Sequence, residues 1–202
     1  LNAWPGNGFQ KRFAEEACRN DWLLDLDADE IVTPALADEI AALFAEGEPR
    51  AKIYRTPMLV VPPFLPDARF GKVARTKLYD RRAVRQPADP VWDQFDIPSG
   101  VAVGTLSRPL MHYAYKDAEH LTSKLNGYSS LQAREKSPKS ELELSLRVLF
   151  GFPFYFLRRY LLEGLVFQGV YGFAFTAMTA HGRWLRDVKM YERRLAARRA
   201  NG

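Results

Sequence analysis

Apolar positions recur at helical and then at alternating intervals along the first sixty residues, which predicts helix and strand in turn. Phe9, Phe13, Ala14 and Ala17 share one helical stripe, so a helix is expected from Phe9 to Arg19. Asn20-Asp21 interrupts it, and Trp22-Leu23-Leu24-Asp25-Leu26 reads as a short buried strand ending in carboxylates. Thr33 followed by Pro34 supplies a capping hydroxyl and a proline at the first helical position. The next helix is therefore expected from Thr33-Pro34 to about Ala45, with Asp38 and Glu39 facing solvent. Ala51 to Val61 alternates as a strand, with Ile53, Thr56 and Leu59 interleaved with Lys52 and Arg55. Pro62 to Gly71 is a loop with a turn at Pro66-Asp67. A strand is expected from Ala74 to Asp80, with weaker ones near Val84 and from Val101 to Leu106.

Beyond this point the period becomes helical. Asp117 to Ser137 carries Leu121, Leu125, Tyr128, Leu131 and Gln132 on an amphipathic helix that Pro138 closes. From Glu141 onward everything reads as helix, with breaks expected near Gly151-Phe152-Pro153 and around Gly169 to Gly172. Alternating helix and strand followed by helix alone predicts an α/β layered domain over residues 1–137 and a helical tail over 138–202.

Val148 to Leu157 carries no charge and is bracketed by Arg147 and Arg158-Arg159. Gly164 to Gly182 is a second uncharged run, just long enough for a membrane span. Its glycines, with Gln168, Thr176, Thr179 and His181, weaken it as one. Three readings stand open for the tail: helices lying in a membrane interface, a buried helical bundle, or a true span.

Charge sharpens the first of these. The chain carries a formal net charge of +5. From His181 to the end, Arg183, Arg186, Lys189, Arg193, Arg194, Arg198 and Arg199 face only Asp187 and Glu192, so the excess sits in the tail. A basic block beside an apolar stretch suits an anionic membrane surface, and a solvated basic helix end reads equally well. No motif for nucleic acid accompanies the charge. The single cysteine, Cys18, excludes an internal disulfide and fits a reducing compartment. The three histidines and this cysteine are widely spaced, so a bound metal is expected to need carboxylates.

Those carboxylates lie in Asn20-Asp-Trp-Leu-Leu-Asp-Leu-Asp-Ala-Asp-Glu-Ile-Val32, where Asp25, Asp27, Asp29 and Glu30 close an apolar strand. Ligands of open α/β sheets bind at such strand ends. Clustered acids repel and need a cation or donors to remain charged. On an extended chain Asp27 and Asp29 point the same way, as suits a hard divalent ion shared with a diphosphate. An acidic turn entering a helix gives the same pattern.

The segment Trp22-Leu23-Leu24-Asp25-Leu26-Asp27-Ala28-Asp29-Glu30 resembles the Asp-x-Asp strand of family-2 glycosyltransferases of GT-A fold. It is most similar to the bacterial lipopolysaccharide-core glucosyltransferase type. Trp4-Pro5-Gly6-Asn7-Gly8-Phe9-Gln10-Lys11 is similar to that group's helix start, and His112-Tyr113-Ala114-Tyr115-Lys116 with Lys124-Leu125-Asn126 and Tyr128-Ser129 is similar to a later motif. The resemblance implies a Rossmann-like nucleotide-sugar sheet of GT-A type. It implies that Asp27 and Asp29 hold Mg2+ or Mn2+ on the donor diphosphate; Arg75 and Lys77 either reach that diphosphate or are solvent-facing charges on a half-buried strand. It implies inverting transfer of a sugar to a lipid-linked or lipopolysaccharide-type glycan, at the cytoplasmic face of a bacterial inner membrane. Asp93, where relatives carry Glu after a His that is Trp92 here, is the implied base, with Asp96 as the alternative; the other reading is that both are simply loop acids. His112 and Tyr113 either line the acceptor side or form a buried packing pair.

Relatives of this type begin with a strand–helix–strand unit for the nucleotide base. This chain opens on Leu1 in mid-pattern, so the sheet is expected to be incomplete and the chain alone to bind a nucleotide-sugar poorly. Arg183-Trp184 matches part of the Gln-x-x-Arg-Trp motif of processive synthases, but Ala180 replaces its Gln, so single-sugar transfer is expected. Two rivals remain. Leu23-Leu24-Asp25-Leu26-Asp27 mimics the nucleophile strand of a haloacid-dehalogenase-like phosphatase, although Ala28-Asp29 replaces the Gly-Thr that should follow. The other is a non-catalytic, membrane-associated remnant.

Overall fold

A computed structural model describes residues 5–89, 94–135 and 139–201. The chain forms two units, one of Leu1–Val60 with Lys72–His112, the other of Val61–Gly71 with Tyr113–Gly202. The helix expected to close the first domain thus groups with the tail.

The first unit is mixed α/β. Helix α1 (Asn7–Ala17) leads to β1 (Trp22–Leu24), β2 (Glu30–Val32), α2 (Pro34–Leu43), β3 (Ile53–Val60), β4 (Phe70–Asp80), β5 (Val103–Thr105) and β6 (Leu110–His112). The sheet order is β1-β4-β3-β6-β2, with β5 also paired to β3. β1 runs antiparallel to β4, with Leu23 opposite Tyr79, and β2 antiparallel to β6, with Ile31 opposite Met111. β3 is parallel to both β5 and β6.

Strand parity divides two cores. Tyr54, Met58 and Leu78 join Leu36 of α2, Leu106 and Leu110 on one face, with Trp22 and Leu24 at its margin. Their neighbours Ile53, Tyr79 and Leu23 turn the other way, onto Val84, Phe95 and Ile97. Residues near Val84 are therefore a buried loop rather than the expected strand. Thr33 caps α2 as expected, its Oγ1 accepting from Leu36 N at 3.2 Å. Glu39 departs from expectation: it accepts from Ser107 N, Ser107 Oγ and Arg108 N, tying α2 to the loop before β6. Gly104 is required by packing, since a Cβ there would lie 2.3 Å from the Tyr54 ring.

The second unit holds α3 (Ala118–Glu135), α4 (Glu141–Leu157), a π-helical turn (Arg158–Leu162), a short 3-10 turn (Leu165–Gln168) and α5 (Gly169–Asn201). α4 runs unbroken through Pro153. Gly151 is buried against Tyr155 and Trp184, so it serves close helix packing instead of the expected break. The first break falls instead at Gly164, whose φ of +70° is a left-handed conformation that glycine adopts without strain, and the second falls as expected at Gly169, whose φ of +62° separates the 3-10 turn from α5. Gly182 does for α3 what Gly151 does for α4, with its Cβ position 2.9 Å from Leu125. A polar network links α4 to α5: Tyr155 donates to Asp187 Oδ2 at 2.6 Å, Arg147 donates to Tyr155 Oη, and Arg186 holds Asp187 Oδ1.

Candidate functional site

The carboxylate turn is built from both ends of the sheet. β1 continues past Leu24 by one ladder bond, Asp25 N to Lys77 O at 2.7 Å. Residues 28–29 then turn, and Glu30 begins β2 opposite His112. The turn closes on itself, since Glu30 N donates to Asp27 O and Asp27 N donates to Glu30 Oε2, both at 3.0 Å. The segment is therefore not extended, which corrects the geometry first drawn for Asp27 and Asp29.

Three basic side chains meet this turn from three elements. Lys11 of α1 lies 2.9 Å from Asp25 Oδ2 and 3.0 Å from Asp27 Oδ1. Lys77 of β4 lies 2.7 Å from Glu30 Oε2 and 3.4 Å from Asp27 Oδ2. His112 Nε2 of β6 lies 3.4 Å from Asp29 Oδ2. Because β4 and β2 are separated in the sheet by β3 and β6, the Lys77–Glu30 contact requires the sheet to curl. Partial burial works against the Asp27 carboxylate, but Lys77 and Lys11 outweigh it and hold its pKa below the ordinary value.

Helix α1 reaches the turn because its other end is pinned. Glu15, one turn from Lys11, is buried and accepts from Tyr79 Oη at 2.9 Å and Gln86 N at 2.8 Å, and it pairs with Arg85. Burial, with the Glu15 charge next, pushes the Tyr79 hydroxyl pKa well up, so it remains a donor. The sequence pattern includes Lys11 only as the last residue of a helix-start motif and does not single out Glu15. Their spacing of four on one helix face was the available signal.

The other expected residues fall as follows. Arg75 is exposed on β4, two residues from Lys77 and so on the same side of the strand. Lys77 is buried and committed to Glu30 and Asp27. Asp93 lies outside the described residues. Asp96 is exposed, between Phe95 and Ile97, which pack into the core. His112 is half-buried and Tyr113 exposed, so they are not a buried packing pair.

Among the described residues, no three His, Cys, Asp or Glu side chains converge to hold a metal by themselves. The donor set nonetheless fits a hard divalent cation of the kind bound by one or two carboxylates plus substrate phosphates. Asp27 and Asp29 keep 42% and 37% of their side-chain surface open. Asp25, Asp27, Asp29 and Glu30 outnumber Lys11 and Lys77 by two charges, which one divalent ion balances. Glu30 Oε1 is buried with no hydrogen-bond partner, so the turn also holds unspent acceptor capacity.

A mixed, curled α/β sheet with an acidic turn at a strand end is consistent with a GT-A-like nucleotide-sugar domain. Comparison with curated proteins gives the same class. The chain is 28% identical to an uncharacterized glycosyltransferase of Rickettsia bellii, covering 95% of this chain and 69% of that protein. It is 28% identical to another from Rickettsia conorii, covering 98% and 74%. It is 26% identical to the lipopolysaccharide core biosynthesis glycosyltransferase LpsC of Rhizobium meliloti, again covering 98% and 74%. The curated homologues are thus named glycosyltransferases over most of the chain. No protein-family profile and no solved structure matches it.

Proposed function

We propose that this chain carries the metal and diphosphate site of an inverting, family-2-type glycosyltransferase. In this reading it moves a hexose from a nucleotide-sugar to a lipid-linked or lipopolysaccharide-type glycan at the cytoplasmic face of a bacterial inner membrane. The observation that carries the reading is the acidic turn: four carboxylates against two lysines, two of them open to solvent, in a chain whose homologues are named glycosyltransferases.

Asp27 and Asp29 would hold Mg2+ or Mn2+. Such an ion supplies electrostatic stabilisation to the leaving nucleoside diphosphate. The chain's own residues do the rest. Lys77 holds Glu30 and Asp27, and thereby the shape of the turn; Lys11 does the same for Asp25 and Asp27. Arg75, exposed two residues along β4, is a cation that would meet phosphate oxygens. A base must take the acceptor hydroxyl proton as that oxygen attacks the anomeric carbon from the face opposite the leaving group. Asp93 is assigned that role by resemblance, and Asp96, exposed beside the core-packed Phe95, is its alternative. The phosphatase reading requires Asp25 as nucleophile, yet Asp25 is largely covered and ion-paired with Lys11.

Metal-dependent release of nucleoside diphosphate from a nucleotide-sugar, read at high donor concentration to offset the weak binding expected of the chain alone, tests the reading. Asp29→Asn should abolish it and Asp25→Asn should leave most of it. Loss with Asp25→Asn and retention with Asp29→Asn would reverse the assignment in favour of the phosphatase.

A further inference from the structure

Helix α4 is apolar on two opposite faces. Leu144, Gly151 and Tyr155 share one helical stripe and are buried in the second unit. Leu142, Leu146, Leu149, Phe150, Phe154 and Leu157 share the other side, and all are exposed. At Gly164 the chain bends, the two helical stretches on either side meeting at 80°. The elbow exposes Leu162, Phe167 and Val170 at 80%, 86% and 88%. Apolar side chains that open are rare on a soluble surface unless something covers them.

The chemistry of the face narrows what that is. None of these nine side chains carries a hydrogen-bonding group, whereas a protein–protein interface has about one hydrogen bond per 100–200 Å2. The charges bordering the face in sequence are Glu141, Glu143 and Arg147 at one end and Arg158, Arg159 and Glu163 at the other, three acids and three bases, so apolar burial rather than a net charge is what seats it. Among the described residues no single helix is long and apolar enough to cross a membrane, and only the bent pair Glu141–Leu162 and Leu165–Ala200 together has the length and composition of a broken span. An apolar stripe of this kind lies along a bilayer surface.

The basic tail is turned elsewhere. Lys189 donates to Asn126, Ser129 and Ser130, Arg193 to Ala133 O, Arg194 to Lys139 O, and Arg198 to Glu141. Arg183 covers the Tyr155 ring and Arg186 pairs with Asp187. Six of the seven tail cations thus brace the helices of the second unit. We propose that the outward face of α4 and the Gly164 elbow enter the lipid interface, and that apolar insertion, not the basic tail, holds the chain on the bilayer. This rests on the membrane-surface part of the proposed function and names the surface that performs it.

The test is sedimentation of the full chain with phosphatidylcholine vesicles, with and without phosphatidylglycerol, at low and high salt. The wild type should bind neutral vesicles, changing by less than about twofold with salt or anionic lipid, since apolar insertion is not screened. Leu149→Glu and Phe154→Glu should each weaken binding by about tenfold, the value of one lost apolar side chain. Arg199→Glu should change it by less than about twofold. Both apolar positions are exposed, so far-UV circular dichroism should show both variants folded. Binding only to anionic vesicles, abolished by salt and untouched by either apolar-to-Glu variant, overturns this inference while leaving the membrane reading intact. No binding to any vesicle overturns both. Self-association lost in Leu149→Glu, with vesicle binding unchanged, assigns the face to a second copy.

Discussion

Replacing Lys77 with Met should destabilise the protein far more than an ordinary strand substitution. The Glu30 side chain is fully buried and that of Lys77 is 5% exposed, with Nζ 2.7 Å from Oε2. Glu30 has one further donor on Oε2, Asp27 N, and none on Oε1. Without Lys77 a carboxylate is left in the interior with a single backbone donor. Removing one partner of a buried pair costs about 3–5 kcal/mol. In a chain of this size that corresponds to a fall of roughly 6–20 °C in melting temperature. The double variant Lys77→Met/Glu30→Met removes both charges and should recover most of the loss, because the penalty comes from the stranded carboxylate and not from a lost attraction. Thermal and urea melts of the two single variants and the double variant measure this directly. A loss below about 1 kcal/mol in Lys77→Met, or no recovery in the double variant, refutes the buried-pair description.

Three further expectations follow from the same geometry. Asp80 is buried, and hydrogen bonds from Arg82, outweighing burial, lower its pKa to about 2 from 3.8, while Asp27 is lowered by its lysines. Depressed acids stabilise the fold above their ordinary range, so stability should fall as pH drops from about 4 towards 2, and Asp80→Asn should flatten that part of the curve. Tyr155→Phe removes the 2.6 Å bond to buried Asp187 and should cost about 1–3 kcal/mol in a melt, with α4 packing loosened. Asp29→Asn, at a side chain 37% open, should shift the melt by no more than about 0.5 kcal/mol while removing activity, which separates its role from that of Lys77.

Elements whose own residues carry a period were readable from the sequence. The Thr33-Pro34 start of α2, β3 and α3 came out within a few residues, because capping chemistry and amphipathic spacing are local. β2 and β6 were not foreseen. Three residues cannot display an alternation, and these strands exist through distant pairing, β2 with β6 and β6 in turn with β3. α4 runs through Pro153 without a break, whereas Gly164, with positive φ, ends the helical run. At the site, the acid cluster was visible as composition. Its counter-charges were not, since Lys11, Lys77 and His112 come from three separate elements. The tail was legible as a block of cations but not in its contacts, since the groups that Lys189, Arg193 and Arg198 bond lie on α3 and at the start of α4.

The most direct test of the acidic turn is Mn2+ binding followed by electron paramagnetic resonance, with and without inorganic pyrophosphate. Pyrophosphate isolates the metal–diphosphate contact from recognition of base and sugar. Wild-type protein should take up Mn2+ when pyrophosphate is added, and Asp27→Asn and Asp29→Asn should each weaken that uptake by about tenfold or more, with Asp25→Asn close to wild type. Uptake that is equal in the wild type, Asp27→Asn and Asp29→Asn would mean that the turn is a structural ion-pair knot and that the donor site lies elsewhere.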